Sequence, residues 1–125
     1  TQKVVAHVLD HIDYDAHLEN VRKVYKSKCD AMMRVLKDKG SSKVHLTQPT
    51  GGMFAWMTMP DTVDCDEFFE ACMNKNVGII KCGAFAADGV QNGHAFRLSY
   101  TVPTIPEIEK GMEILCALTK DYCGE

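Results

Sequence analysis

One arginine stands inside an otherwise apolar stretch, HAFRLSY at residues 94–100. Side chains of an extended strand alternate between its two faces, so Phe96, Leu98 and Tyr100 are predicted to share a core face. Arg97 then lies on the opposite face, between a small alanine and a small serine. A guanidinium with room beside it suits a planar anion such as a carboxylate or a phosphate. Either an acidic residue of the protein or a ligand supplies that anion.

Two other groups have residue types that could do chemistry. His7 and His11 are four residues apart on a predicted helix, a spacing that can hold zinc, but the sequence indicates no third ligand and no HExxH glutamate. We therefore expect ordinary exposed histidines. Cys82, next to Lys81 on a predicted loop, is the candidate nucleophile, and such a cysteine would need a partner histidine.

A stripe of sulfur and aromatic side chains runs through residues 53–59, where Met53, Met57 and Met59 accompany Trp56. The stripe resembles a ligand-binding surface, but strand alternation favours packing in the core. We expect Trp56 to be a packing residue, with a pocket wall as the alternative.

Size and charge exclude several classes of function. The chain has 125 residues, the size of one domain, and 14 basic against 17 acidic residues give a net charge of −3. This net charge does not indicate the basic surface with which proteins bind nucleic acid or an anionic membrane. The sequence has no apolar run near the ~20 residues of a membrane span and no signal-peptide pattern, so we expect a soluble protein.

The chain contains six cysteines and no CxxC pair. Most of them have apolar helical neighbours, where a free cysteine behaves as a small hydrophobe. We expect reduced thiols and a cytoplasmic location. The chain begins at Thr1, directly inside a helical pattern, which is typical of a piece of a longer protein or of a removed tag.

The predicted elements follow the order ααββαββα. A short helix covers residues 2–11, and a longer helix capped by Asp13 or Asp15 ends at Gly40. Its core-facing stripe recurs every three or four residues and consists of Leu18, Val21, Tyr25, Cys29, Met32 and Leu36.

The second half of the chain supplies the strands and two further helices. Strands are predicted over 43–48, 52–59, 77–81 and 94–100, and residues 82–93 form a loop rich in glycine. Asp64 caps a short helix, and Thr104 with Glu107 forms a capping box before the last helix. The pattern predicts an α+β fold, with helices layered on a small sheet that is antiparallel or mixed.

Three motifs together resemble a known family. They are GGMFAWMTMP at 51–60, AFAADG at 84–89 and FRLSY at 96–100, the last followed by a capped helix. In this order they resemble the C-terminal small domain of fold-type I pyridoxal-phosphate (PLP) aminotransferases. Within this family, the sequence most resembles the branch that contains 2-aminoadipate and kynurenine aminotransferases and the aminotransferase-like half of certain transcription regulators. The resemblance spans residues 1–125 as a single domain, with residues 1–40 as a helical lead-in and linking helix.

The resemblance implies a role for Arg97, because in the family this arginine pairs with the α-carboxylate of the amino-acid substrate. It also implies a homodimeric parent that moves an amino group from an amino acid to a 2-oxo acid. The PLP cofactor and its Schiff-base lysine belong to the family's large domain, so we assign no catalytic, cofactor-binding or metal-binding residue here. Without the large domain, the segment is expected to have no transaminase activity.

One departure and two alternatives accompany this interpretation. Lys81-Cys82, or Cys82-Gly83 in a shifted register, stands where the family has Pro-Gly. The first alternative is a non-catalytic module that binds an amino acid or a partner, with Arg97 in an internal salt bridge. The second is the aminotransferase-like half of a transcription regulator.

Overall fold

The computed structural model describes residues 1–87 and 93–125. Helix α1 covers Gln2–His11 and α2 covers Tyr14–Lys39, and strands β1 (His45–Leu46) and β2 (Phe54–Thr58) follow. Next come α3 (Cys65–Asn74), β3 (Ile80–Lys81) and a 3₁₀ turn (Cys82–Phe85). Strand β4 (Ala95–Ser99) and helix α4 (Ile105–Cys123) complete the chain. The predicted α+β order is confirmed.

The strands form one four-stranded sheet in the order β1-β2-β4-β3, and every neighbouring pair is antiparallel. The sequence pattern allows an antiparallel or a mixed sheet, and the structure shows the antiparallel arrangement. Strand β4 lies in the interior of the sheet, which holds Arg97 between two strands.

All four strands are shorter than predicted. The two at the sheet edges are the shortest, because each has only one neighbour to pair with. The stretch 43–48 contributes only His45–Leu46 as strand, and 77–81 only Ile80–Lys81. The backbone N–H of Val77 donates to the carbonyl of Cys72 at 2.9 Å and so closes the end of α3. This bond takes Val77 out of the sheet ladder.

The hydrophobic core lies between one face of the sheet and helices α2, α3 and α4. Phe96, Leu98 and Tyr100 are buried on that face, as alternation predicted. The helices contribute the buried side chains Met32, Val35, Phe68, Cys72, Ile108, Met112, Leu115 and Cys116.

Helices α2, α3 and α4 begin where their capping signals predicted. The Asp13 carboxylate accepts from the Ala16 N–H at 2.9 Å, and Asp64 accepts from the N–H groups of Asp66 and Glu67. Thr104 forms the predicted capping box with Glu107. These bonds satisfy N–H groups that a helix start leaves unpaired.

Helix α2 is 26 residues long, and its buried residues, Ala31, Met32 and Val35, all lie in its C-terminal half. The N-terminal half therefore projects past the core. Helix α1 contains no buried residue, and its apolar side chains Val5 and Leu9 are exposed. No helix in these two ranges is long and apolar enough to cross a membrane.

The predicted loop over 82–93 begins with the 3₁₀ turn. Asp88 and Gly89, which complete the AFAADG motif, belong to residues 88–92 and lie outside the described residues.

Candidate functional site

Arg97 lies on the face of the sheet that the helices leave open. It is half-buried, and its strand neighbours are Trp56 of β2 and Ile80 of β3, each directly opposite it in the register. Both neighbours are partly exposed and apolar. On this open face, the Arg97 cation therefore has hydrophobic side chains as its neighbours on both adjacent strands.

The Arg97 guanidinium lies between two phenyl rings. Its Cζ atom is 4.0 Å from the ring centroid of Phe54 and 4.2 Å from that of Phe85. A cation over an aromatic face is attracted by the quadrupole of the ring. The two rings thus provide the electrostatic stabilisation that an acidic partner would otherwise give.

No described carboxylate forms an ion pair with Arg97. The ion pairs within 1–87 and 93–125 are Lys23–Glu19, Lys26–Asp30, Arg34–Glu109, Lys39–Glu113 and Lys81–Asp66. Among these residues the internal salt bridge of the non-catalytic alternative is therefore absent. A guanidinium in this setting has N–H donors in its plane that suit a ligand carboxylate.

The ring of Phe85 comes from the 3₁₀ turn, and two contacts hold that turn against the sheet. Trp56 meets Phe85 edge to face, with ring centroids 5.7 Å apart. The Cys82 thiol lies against Gly93, where an added Cβ would be 2.1 Å from its Sγ atom. Cys82 is thus a packing residue of the turn.

Among the described residues, no histidine forms a hydrogen bond with the Cys82 thiol, so the structure gives Cys82 no partner for a role as nucleophile. The histidine within reach of a thiol is His94, whose Nδ1 is 3.5 Å from the Sγ of Cys65. Burial is the largest effect that raises the pKa of Cys65, and it also raises the pKa of Cys72 to about 12. Both effects favour the neutral, unreactive thiol.

The sulfur and aromatic stripe of β2 divides between the two faces. Met57 and Met59 are buried in the core as predicted, but Met53 is 44% exposed and Trp56 is 37% exposed. The expectation that Trp56 packs in the core was wrong, because alternation places it on the same face as Arg97. It is a wall of the open face.

The described residues do not form a PLP site of their own. Lys81 precedes the 3₁₀ turn, but it pairs across the sheet with the buried Phe96 and so lies towards the helices. Its Nζ is 2.7 Å from Asp66 and 5.1 Å from the Phe69 ring centroid. The hydrogen bond to Asp66 raises the pKa of Lys81, which favours the protonated amine over the nucleophilic one. We therefore derive no step through this cofactor from the present residues.

His7 and His11 do not assemble a metal site with described residues. The Nδ1 atom of His11 donates to the His7 carbonyl at 2.7 Å, and the two ring centroids are 3.9 Å apart. No group of three or more potential ligands occurs in the described parts of the chain.

Sequence reasoning missed the two rings of the site. Alternation from Trp56 places Phe54 on the open face, so this signal was present in the sequence. Phe85 gave no such signal, because its position depends on how the turn folds back onto the sheet.

The chain is similar to several proteins of known structure or function. It is 32% identical to the 2-aminoadipate transaminase of Thermus thermophilus over 113 residues, which are 90% of this chain and 28% of that protein. The structure of LysN, an α-aminoadipate aminotransferase of the same organism complexed with N-(5′-phosphopyridoxyl)-L-leucine, covers 98% of this chain with a TM-score of 0.89 and 31% identity. The chain spans 31% of that structure.

A regulator also matches. The HTH-type transcriptional regulator NorG of Staphylococcus aureus is 31% identical over 83 residues, which are 66% of this chain and 19% of NorG. The chain thus spans less than a third of these relatives. No model of a protein family matches it.

Proposed function

Because this chain is homologous to the C-terminal small domain of fold-type I PLP-dependent aminotransferases, we propose that it serves as that domain in a whole aminotransferase. Arg97 then binds the α-carboxylate of the substrate. The parent reaction moves an amino group from an amino acid to a 2-oxo acid.

One observation carries this proposal: Arg97 lies on the open face, between two rings and with no ion-pair partner among the described residues. The planar guanidinium matches a carboxylate in two parallel, charge-assisted hydrogen bonds. The two ring contacts use none of its N–H donors, which leaves those donors for the ligand. A lysine would supply charge without this geometry.

Binding the carboxylate at a fixed place orients the rest of the substrate. Orientation of a bound reactant accounts for a large share of the rate enhancement in many enzymes. The apolar side chains around Arg97 shield it in part from water, which strengthens the ion pair. This chain therefore contributes substrate binding and orientation.

PLP supplies an electron sink for the substrate when it is bound. We assign its binding to residues outside this chain, since Lys81 is engaged with Asp66. The chain alone is accordingly expected to have no transaminase activity.

The remaining features of the whole protein belong to the same proposal. The exposed apolar side of α1, with Val5 and Leu9, suits contact with the large domain. The whole protein is a homodimer in this proposal. Its place in the cytoplasm agrees with the free thiols of the described chain, since reducing compartments keep thiols unpaired.

The test follows the absorbance of bound PLP in the parent protein while L-leucine or L-2-aminoadipate is added. We expect Arg97→Ala to weaken amino-acid binding about 10- to 100-fold, because charged hydrogen bonds are worth about 1.5–3 kcal/mol. Arg97→Lys should recover only part of this loss.

Arg22→Ala is the matched control, since Arg22 is an exposed arginine of α2. It should bind amino acids like the wild type. If Arg97→Ala also binds them like the wild type, the carboxylate role is wrong. A parent protein that takes up no PLP would contradict the aminotransferase proposal itself.

The match to NorG makes a transcription regulator the second candidate. The same titration separates the two, because a regulator would bind an amino acid without releasing a 2-oxo acid. Release of the 2-oxo acid over many turnovers therefore favours the enzyme.

A further inference from the structure

Arg97 is held by side chains from two separate segments of the chain. Phe54 belongs to β2, and Phe85 belongs to the 3₁₀ turn that follows β3. Their ring centroids lie 4.0 Å and 4.2 Å from the guanidinium Cζ. Two rings from separate segments therefore contact the same guanidinium.

Contact with two rings restricts the motion of the Arg97 guanidinium. An arginine side chain has many rotamers, and a ligand that binds a mobile arginine must immobilise it. A guanidinium held between two rings is already ordered. Because a ring contact uses none of the guanidinium N–H donors, those donors remain for a carboxylate, which binds a guanidinium through two parallel hydrogen bonds.

The turn that carries Phe85 is itself fixed. The edge of Trp56 meets the Phe85 ring at 5.7 Å, and the Cys82 thiol occupies the space beside Gly93. A side chain at Gly93 would displace Cys82, because its Cβ would lie 2.1 Å from the thiol sulfur. The position of Phe85 thus depends on contacts at both ends of the turn.

We propose that Phe54 and Phe85 are positioning residues that hold the Arg97 guanidinium as a rigid fork for a ligand carboxylate. The ordering of Arg97 by the rings stands on geometry alone, whereas the identity of the ligand rests on the proposed function. Neither phenylalanine bonds to the carboxylate.

The test observes the guanidinium of Arg97 directly, by NMR of the full ¹⁵N-labelled chain. Rings above and below the group should shift its N–H protons upfield and slow its rotation, so that separate Nη signals are seen. Phe85→Leu and Phe54→Leu should each move these signals towards those of a free arginine. Phe85→Tyr keeps the ring and should keep the wild-type signals.

Phe69→Leu is the matched control, because Phe69 stacks on Lys81 and lies on the helical side. It should leave the Arg97 signals unchanged. Gly93→Ala perturbs the turn without removing a ring and should resemble Phe85→Leu. Backbone spectra of each variant report whether the fold is intact. Wild-type Arg97 signals in folded Phe85→Leu and Phe54→Leu would overturn the proposal.

A second measurement separates this proposal from the proposed function. Titration with 3-phenylpropionate should shift the Arg97 signals, with binding about three- to tenfold weaker in Phe85→Leu. Equal binding by wild type and Phe85→Leu would overturn the positioning role and leave the carboxylate site intact. Ring-dependent Arg97 signals without any response to the carboxylate would support the ring-held guanidinium and contradict the proposed function.

Discussion

At the scale of single residues, the open face of the sheet shows how a cation is accommodated that has no ion-pair partner within residues 1–87 and 93–125. Arg97 is half-buried in an interior strand, where an isolated charge without compensation is costly. The rings of Phe54 and Phe85 compensate through their contacts with the guanidinium. Because a ring satisfies no N–H donor, these two contacts leave the N–H donors of Arg97 to other partners such as a ligand. An acidic neighbour would have used those donors.

Phe68 is the residue whose loss should affect the core most. It is fully buried, and its ring centroid lies 5.4 Å from those of both Phe96 and Tyr122. Phe68→Ala removes contacts to the sheet and to α4 at once, so we expect a loss of about 3–5 kcal/mol in the free energy of unfolding. Urea denaturation followed by circular dichroism measures it.

The control for this prediction is on the same helix. Met73 is 45% exposed, so Met73→Ala should change the free energy of unfolding by well under half as much. Equal losses in the two variants would mean that the core is not centred on Phe68.

At the scale of elements, the C-terminal half of α2 is joined to α4 by polar contacts as well as by the core. Arg34 pairs with Glu109, and the Lys39 Nζ is 2.6 Å from the Glu113 carboxylate. Further along, the Lys43 Nζ donates to the carbonyl of Cys123 at 2.6 Å. The exposed pairs add little stability individually, but their spacing aligns the two helices.

The capping box of α4 predicts a pH dependence of stability. The N–H and the hydroxyl of Thr104 both donate to the Glu107 carboxylate at 2.7 Å, and these bonds lower the pKa of Glu107 below its ordinary 4.5. A carboxyl with a lowered pKa stabilises the folded state above pH 4.5, and this contribution disappears as the pH falls through the folded-state value. Glu107→Gln should therefore be less stable than wild type at neutral pH, and the difference should shrink on acidification.

Urea midpoints measured from neutral pH down to about pH 3 check this prediction. Thr104→Ser keeps the hydroxyl donor and should keep the wild-type pH profile. If the urea midpoints of Glu107→Gln and wild type fall in parallel down to the lowest pH, the capping carboxylate is not the source of the pH dependence.

At the scale of the whole molecule, one core connects strands β1, β2 and β4 to three helices. Cys72 of α3 and Cys116 of α4 are both buried in that core, and burial is the largest effect that raises the pKa of each thiol. A thiol that is both buried and protonated reacts with disulfide reagents only after the structure around it opens.

Thiol labelling should therefore report unfolding of the whole domain. With Cys29, Cys65, Cys82 and Cys123 replaced by serine, we expect Cys72 and Cys116 to become reactive towards a disulfide reagent at the same urea concentration. Mass spectrometry of the labelled peptides measures each site separately. Labelling of one site well below the urea midpoint of the other would show that α3 and α4 leave the core independently.

Helix α1 stands outside this cooperative unit. None of its residues is buried, and its apolar side chains are exposed. In the proposed whole protein this side would be covered, which gives an amphipathic helix without a local partner a physical reason to exist.

The sequence determined the features that depend on neighbouring residues. Alternation placed Phe96, Leu98 and Tyr100 in the core and Arg97 opposite them, since side-chain direction in a strand follows directly from position. Capping signals at Asp13, Asp64 and Thr104 located the helix starts for the same local reason. The motifs around these elements were enough to recognise the aminotransferase small domain.

Only the tertiary structure decided what surrounds Arg97. Phe85 reaches the guanidinium because the turn after β3 folds onto the open face, and Trp56 lies there because β2 pairs with β4 in one register. The short edge strands likewise depend on which neighbours are present. Contacts between segments far apart in the chain are set by packing of the whole domain, and no local pattern encodes them.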